Sequence, residues 1–96
     1  MTPAEITARF DVLCREAHKE AVAALSLALD RPDVAAAAEH ARRAALAADE
    51  ADVERRCAAD SGREYNEEHY LTNAEDAIGR ARGLHRDVLL AILAAG

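Results

Sequence analysis

The sequence predicts an all-α fold, an up-down-up bundle of three long antiparallel helices completed by self-association. Three observations predict it. Apolar residues recur at three- and four-residue steps through most of the 96 residues. Breakers are few: the prolines are Pro3 and Pro32, and the glycines are Gly62, Gly79, Gly83 and Gly96. β-Branched residues are sparse and nowhere alternate over a useful length, so no strand is expected.

Helix 1 is predicted from about Pro3 to Leu29. Thr2 suits the N-cap, Pro3 the first turn, and Glu5 complements the positive end of the helix dipole. Ile6, Phe10, Leu13, Ala17, Ala21, Ala24 and Ala28 form its apolar face. Asp30-Arg31-Pro32-Asp33 is the first turn, with Asp30 as N-cap and Pro32 early in the next helix. Helix 2 is predicted from about Pro32 to Ala59. Its first half presents Val34, Ala38, Ala41, Ala45 and Ala48, its second half Leu46, Val53 and Cys57. The stripe thus rotates midway, leaving Asp49 and Glu50 between Leu46 and Val53.

Asp60-Ser61-Gly62 is the second turn. Ser61 with Glu64 and Thr72 with Glu75 both read as capping boxes. The last segment is therefore either one helix from about Gly62 to Ala95, or a short helix ending near Leu71 and a longer one starting near Asn73. A break near Thr72-Asn73 is the preferred reading. Leu71, Ala74, Ile78, Ala81, His85, Val88, Ile92 and Ala95 then follow a heptad-like seam.

The length fits one domain with a modest core, residues 1–96. About half of the apolar 51% is alanine, aromatic residues are 3% and tryptophan is absent. Alanine favours helix but contributes little burial energy, so the chain leans on association. The formal charge of −6 argues against nucleic acid and anionic membrane as partners and favours a basic protein. Arginine outnumbers lysine, with Lys19 the lone lysine; together with the alanine content this points to a GC-rich, bacterial genome. No apolar run approaches the ~18 residues of a membrane span. Met1 to Phe10 lacks the apolar core of a signal peptide, which predicts a cytoplasmic chain with Cys14 and Cys57 reduced.

An up-down-up path gathers the end of helix 1, the start of helix 2 and the end of helix 3 at an apolar pole. Asp49, Glu50, Asp52, Glu54, Glu64, Glu67, Glu68, Glu75 and Asp76 collect at the opposite, acidic pole. Val22, Leu27 and Leu90 lie off the core stripes. With Leu25, Leu29, Leu89 and Leu93 they form the expected surface of a homo-oligomer, most simply a dimer.

Residues able to carry chemistry are scattered. Cys14 and His18 stand four apart on helix 1 and can reach one metal, but two ligands are not a site. His85 falls in the core seam of helix 3, where a histidine is usually a packed residue. Arg80-Ala81-Arg82-Gly83-Leu84-His85 resembles the arginine–histidine motif of the HEPN superfamily, which are all-helical, often dimeric ribonucleases. The resemblance implies His85 as general acid or base and Arg80 as phosphate stabiliser. Ala81 departs from the motif's usual polar residue, and Arg63 with His69 makes a similar match by composition alone. Glu64 and Glu67 resemble half of the carboxylate pattern of MazG-type pyrophosphohydrolases, which implies a magnesium site, without a downstream Glu-x-x-Asp. Glycine-rich phosphate loops, Ser-His-Asp sets and Cys-x-x-Cys pairs are absent. The reading that results is a small acidic interaction module without cofactor or metal, which self-associates and binds a partner protein. A HEPN-like ribonuclease, a MazG-like phosphohydrolase and a small-molecule-binding bundle are the alternatives.

Overall fold

In the computed structural model, which describes residues 2–60 and 66–96, three helices follow one another: α1 (Pro3–Asp30), α2 (Ala35–Asp60) and α3 (Asn66–Ala95). The Cα atoms extend 51 × 16 × 15 Å, a rod one helix-length long. No described helix is long and apolar enough to cross a membrane. Cross-helix pairs fix the directions. Asp11 pairs with Arg55 and His18 with Asp52, so numbering falls along α2 as it rises along α1. Glu50 pairs with Arg80 and Glu54 with Asn73, which sets α3 antiparallel to α2. Arg9–Glu75, Glu16–Arg82 and Glu20–His85 rise together, so α1 and α3 run parallel.

α1 forms as its sequence dictates. The Thr2 hydroxyl oxygen accepts the Glu5 N–H at 3.2 Å and satisfies one orphan donor of the first turn. Ile6, Phe10, Leu13, Ala17, Ala21, Ala24 and Ala28 are all buried, joined by Cys14. The first turn differs from expectation. Asp30 ends α1 instead of capping α2, and α2 starts at Ala35, three residues beyond Pro32. Proline disfavours helical backbone at the preceding residue, and Arg31 sits at φ −132°, ψ 66°. Arg31 then braces the turn: its guanidinium donates to Asp33 at 3.0 and 2.9 Å. That hydrogen bond holds the Asp33 carboxyl below its ordinary range.

α2 departs most from the expected pattern. Its buried residues are Ala37, Ala41, Ala44, Ala47, Ala48, Ala51 and Ala58, all alanine. Leu46 and Val53 are exposed, Cys57 is half-buried, and Ala38 is exposed. The core stripe does not rotate toward the larger side chains. α2 lies against both neighbours along its whole length, and only a methyl-sized side chain lets two backbones approach on that face.

α3 is also corrected. It runs unbroken through Thr72-Asn73. Thr72 does not cap a new helix; its hydroxyl donates to the Glu68 carbonyl at 3.0 Å, the preceding-turn bond open to a threonine inside a helix. The Ser61–Glu64 capping box lies outside the described residues. Leu71, Ala74, Ile78, Ala81 and Val88 of the seam are buried with Ala77, while His85 and Ile92 are half-buried and Ala95 is exposed.

The core divides into two clusters. Ile6, Phe10, Leu13 and Cys14 pack with Ala48, Ala51, Leu71 and Ile78 toward the acidic pole. Ala24, Ala28, Val34, Ala37, Ala41, Ala44 and Val88 pack at the other pole. The second cluster is built almost entirely of methyl groups. Two substitutions test this packing by chemical denaturation. Ala44→Leu, at a fully buried position, is expected to cost about 1–3 kcal/mol by overpacking. Gly79→Ala is expected to stabilise by about 0.5–1 kcal/mol, because Gly79 is an exposed helical position whose added Cβ meets no atom within 4 Å.

Candidate functional site

The three helices leave three lateral grooves and an apolar pole. The α1/α2 groove holds Cys14 and His18 as the sequence suggested, and both stand beside Asp52 of α2. The Cys14 thiol donates to the Ala51 carbonyl at 3.6 Å. His18 Nε2 lies 2.7 Å from Asp52 Oδ2. Burial, with help from the Asp52 charge, pushes the Cys14 thiol up to about 11, so at neutral pH it is a protonated packing residue rather than a thiolate ligand. Burial alone would raise Asp52, but hydrogen bonds from His18 and Cys14, with the nearby Arg55 charge, outweigh it and hold the carboxyl below its ordinary value. Arg55 bridges Asp52 and Asp11 at 3.8 and 3.4 Å. No group of three or more potential metal ligands converges among the described residues. Glu64 lies outside the described residues, as does the side chain of Glu67. Cys14 and Cys57 are free thiols.

Arg80 and His85 point into different grooves. The Arg80 guanidinium pairs with Glu50 of α2. His85 Nδ1 pairs with Glu20 Oε2 of α1 at 2.7 Å. Five residues along a helix turn the side chain by ~140°, so the two groups flank α3 on opposite sides and share no cleft. His85 is not a core histidine either. Its side chain and that of Glu20 retain 26% and 24% exposure, a half-buried strut between α1 and α3.

The α2/α3 groove is of another kind. Leu46 and Val53 line it as exposed aliphatic side chains, with Asp49, Glu50, Glu54, Asp76 and Arg80 around them and Arg43 and Asp87 farther along. Glu54 accepts a hydrogen bond from Asn73 at 3.4 Å.

At the apolar pole the structure places Val22, Leu25 and Leu29 of α1 and Leu89, Leu90 and Leu93 of α3 on the surface. Leu29 is 78% and Leu93 74% exposed. Leu27 is corrected: it is half-buried and packs on the Ala24–Ala28–Val88 cluster. The helical spacing puts Val22, Leu25 and Leu29 on the flank facing α2, and Leu89 and Leu93 on the flank facing α1, so two aliphatic strips share one pole.

Sequence reasoning missed Asp52 as the partner of His18, and Glu20 as the partner of His85. The signal was available: antiparallel pairing about a turn at residues 31–34 sets His18 near Asp52, and parallel α1/α3 register sets Glu20 near His85. Comparison of the chain with protein-family models, with curated proteins and with solved structures finds no match.

Asp52→Asn tests the α1/α2 network. A carboxyl held below its unfolded value stabilises the fold above that value and loses the contribution as pH falls through the lower folded value. The substitution is expected to cost about 0.5–1 kcal/mol at neutral pH, discounted for partial exposure. The gap between the two proteins is expected to close below pH 3.8, the ordinary aspartate value, as read by urea midpoints across the pH range.

Proposed function

We propose that this chain is a helical interaction module that self-associates through its apolar pole and binds a partner protein. The observation that carries the reading is the set of six exposed aliphatic residues gathered at one end, Val22, Leu25, Leu29, Leu89, Leu90 and Leu93. Single exposed apolar side chains are ordinary, but a cluster of them marks an association surface. The methyl-lined core beneath them supports the same reading. It contributes little burial energy per residue, and covering the aliphatic strips would add to it at about 25 cal/mol per Å² of apolar area.

The module works in the reducing setting of the cytoplasm, where Cys14 and Cys57 remain thiols. The ribonuclease alternative draws no support from Arg80 and His85, which engage Glu50 and Glu20 in separate grooves.

Light scattering coupled to size-exclusion chromatography tests the reading. The wild-type chain is expected at twice the monomer mass at micromolar concentration, and the Leu29→Lys/Leu93→Lys double variant at the monomer mass with its helicity intact. Both positions are exposed, so the substitutions spare the monomer's own core. A wild-type chain that elutes as a monomer would overturn self-association.

A further inference from the structure

We infer that the α2/α3 groove is a docking site for a basic amphipathic helix of a partner protein. The inference rests on the reading of the chain as an interaction module and deepens it, by naming a surface distinct from the apolar pole and the chemistry that fits it.

The groove is carried by an apolar stripe that has no cover. Leu46 and Val53 stand at i and i+7 of α2, on one line along the helix and ~10 Å apart. Leu46 is 47% and Val53 43% exposed, although both are larger than every residue α2 buries in the core. In the monomer the line is redundant, because the alanine face already seals α2 against α1 and α3. A helix laid along it would bury the two aliphatic side chains, the helix-in-groove mode of recognition.

The charges around the stripe select the occupant. Four carboxylates, Asp49, Glu50, Glu54 and Asp76, border Leu46 and Val53 with Arg80 among them, and beyond Leu46 the groove continues past Arg43 and Asp87, where Arg43 is paired with Glu39. Glu50 is neutralised by Arg80 and Glu54 is engaged by Asn73. The Asp49 and Asp76 carboxylates make no ion pair or side-chain hydrogen bond among the described residues. Two unpaired carboxylates beside an exposed aliphatic line are complementary to lysine or arginine flanking an apolar helix face. An acidic or neutral helix would gain the same apolar contact and none of the charge contact. A second copy of this chain, itself net acidic at −6, would meet like charge there. The geometry therefore separates two uses: self-association at the pole, and a basic helix in the groove.

The test uses the full chain and a designed peptide of about 16 residues, long enough to span the stripe at ~1.5 Å per residue. It carries leucines at helical three- and four-residue spacing and lysines on the flanks. A peptide of the same composition, scrambled so that no apolar face forms, is the control. Fluorescence anisotropy is expected to show saturable binding of the designed peptide, about tenfold tighter than the scrambled one. Leu46→Ser/Val53→Ser is expected to weaken it about tenfold, and Asp49→Asn/Asp76→Asn about threefold, the latter difference fading at high salt. Amide shifts in a labelled chain are expected to move along residues 46–57 and 73–80. Equal binding of both peptides, binding unchanged in the Leu46→Ser/Val53→Ser variant, or shifts confined to another face would each overturn the inference. The Leu29→Lys/Leu93→Lys variant keeps the two readings apart, since it is expected to be monomeric and to bind the peptide as wild type does.

Discussion

Everything in this molecule follows from the alanine face of α2. In a three-helix rod every helix packs against both others, and α2 makes its contacts with seven buried alanines. Small side chains let the backbones approach at little cost in side-chain entropy. They also return little. Burying a methyl contributes roughly a third of what burying a leucine does. The core therefore depends on the few large residues elsewhere, chiefly Ile6, Phe10 and Leu13 on α1 and Leu71 and Ile78 on α3. These sit toward the acidic pole, and the opposite pole is held by alanines with Val34 and Val88, with Leu27, Leu84 and Ile92 half-buried against them.

That distribution explains where the remaining aliphatic residues lie. With the inner face of α2 reserved for methyl groups, Leu46 and Val53 are turned outward. With the far pole already filled by alanines, two valines, Leu27, Leu84 and Ile92, the side chains of Val22, Leu25, Leu29, Leu89, Leu90 and Leu93 are left on the surface. The polar residues complete the pattern by bridging helices instead of entering the core: Asp52 to His18, Glu20 to His85, Glu50 to Arg80. Such half-exposed pairs contribute at most about 1 kcal/mol each. They set register between neighbouring helices more than they stabilise the rod. The result is a scaffold whose interior is sparse and whose surface carries two separate apolar features, one at the end and one along a groove.

The helices and the α1 face were legible because Ile6, Phe10 and Leu13 announce a stripe that alanines then continue at the same spacing. The α2 face was not, for a physical reason. A hydrophobic pattern is weighted toward large side chains, so Leu46 and Val53 drew the stripe to themselves, whereas close packing selects for small ones and hides among surrounding alanines. The uninterrupted α3 was masked by Thr72 and Glu75, which have the spacing of a capping box but serve an interior turn. Of the candidate site, the exposed aliphatic pole was readable from the up-down-up path, apart from Leu27, whose side of α1 faces the second cluster. The acidic groove was visible only as a list of carboxylates, because its apolar floor depends on which way Leu46 and Val53 face. Arg80 and His85 shared a motif-like spacing along the chain, yet their ~140° separation around the helix sends them to different neighbours.

The central claim is that the alanine-built interior leaves this chain dependent on covering its apolar pole. The most direct measurement is the thermal unfolding midpoint as a function of protein concentration. If association stabilises the fold, mass action raises the midpoint by about 3–5 °C for each tenfold increase in concentration, with the Leu29→Lys/Leu93→Lys variant melting lower and independently of concentration. A wild-type midpoint that does not move with concentration, matched by the variant, would show that the alanine core suffices alone and would contradict the account.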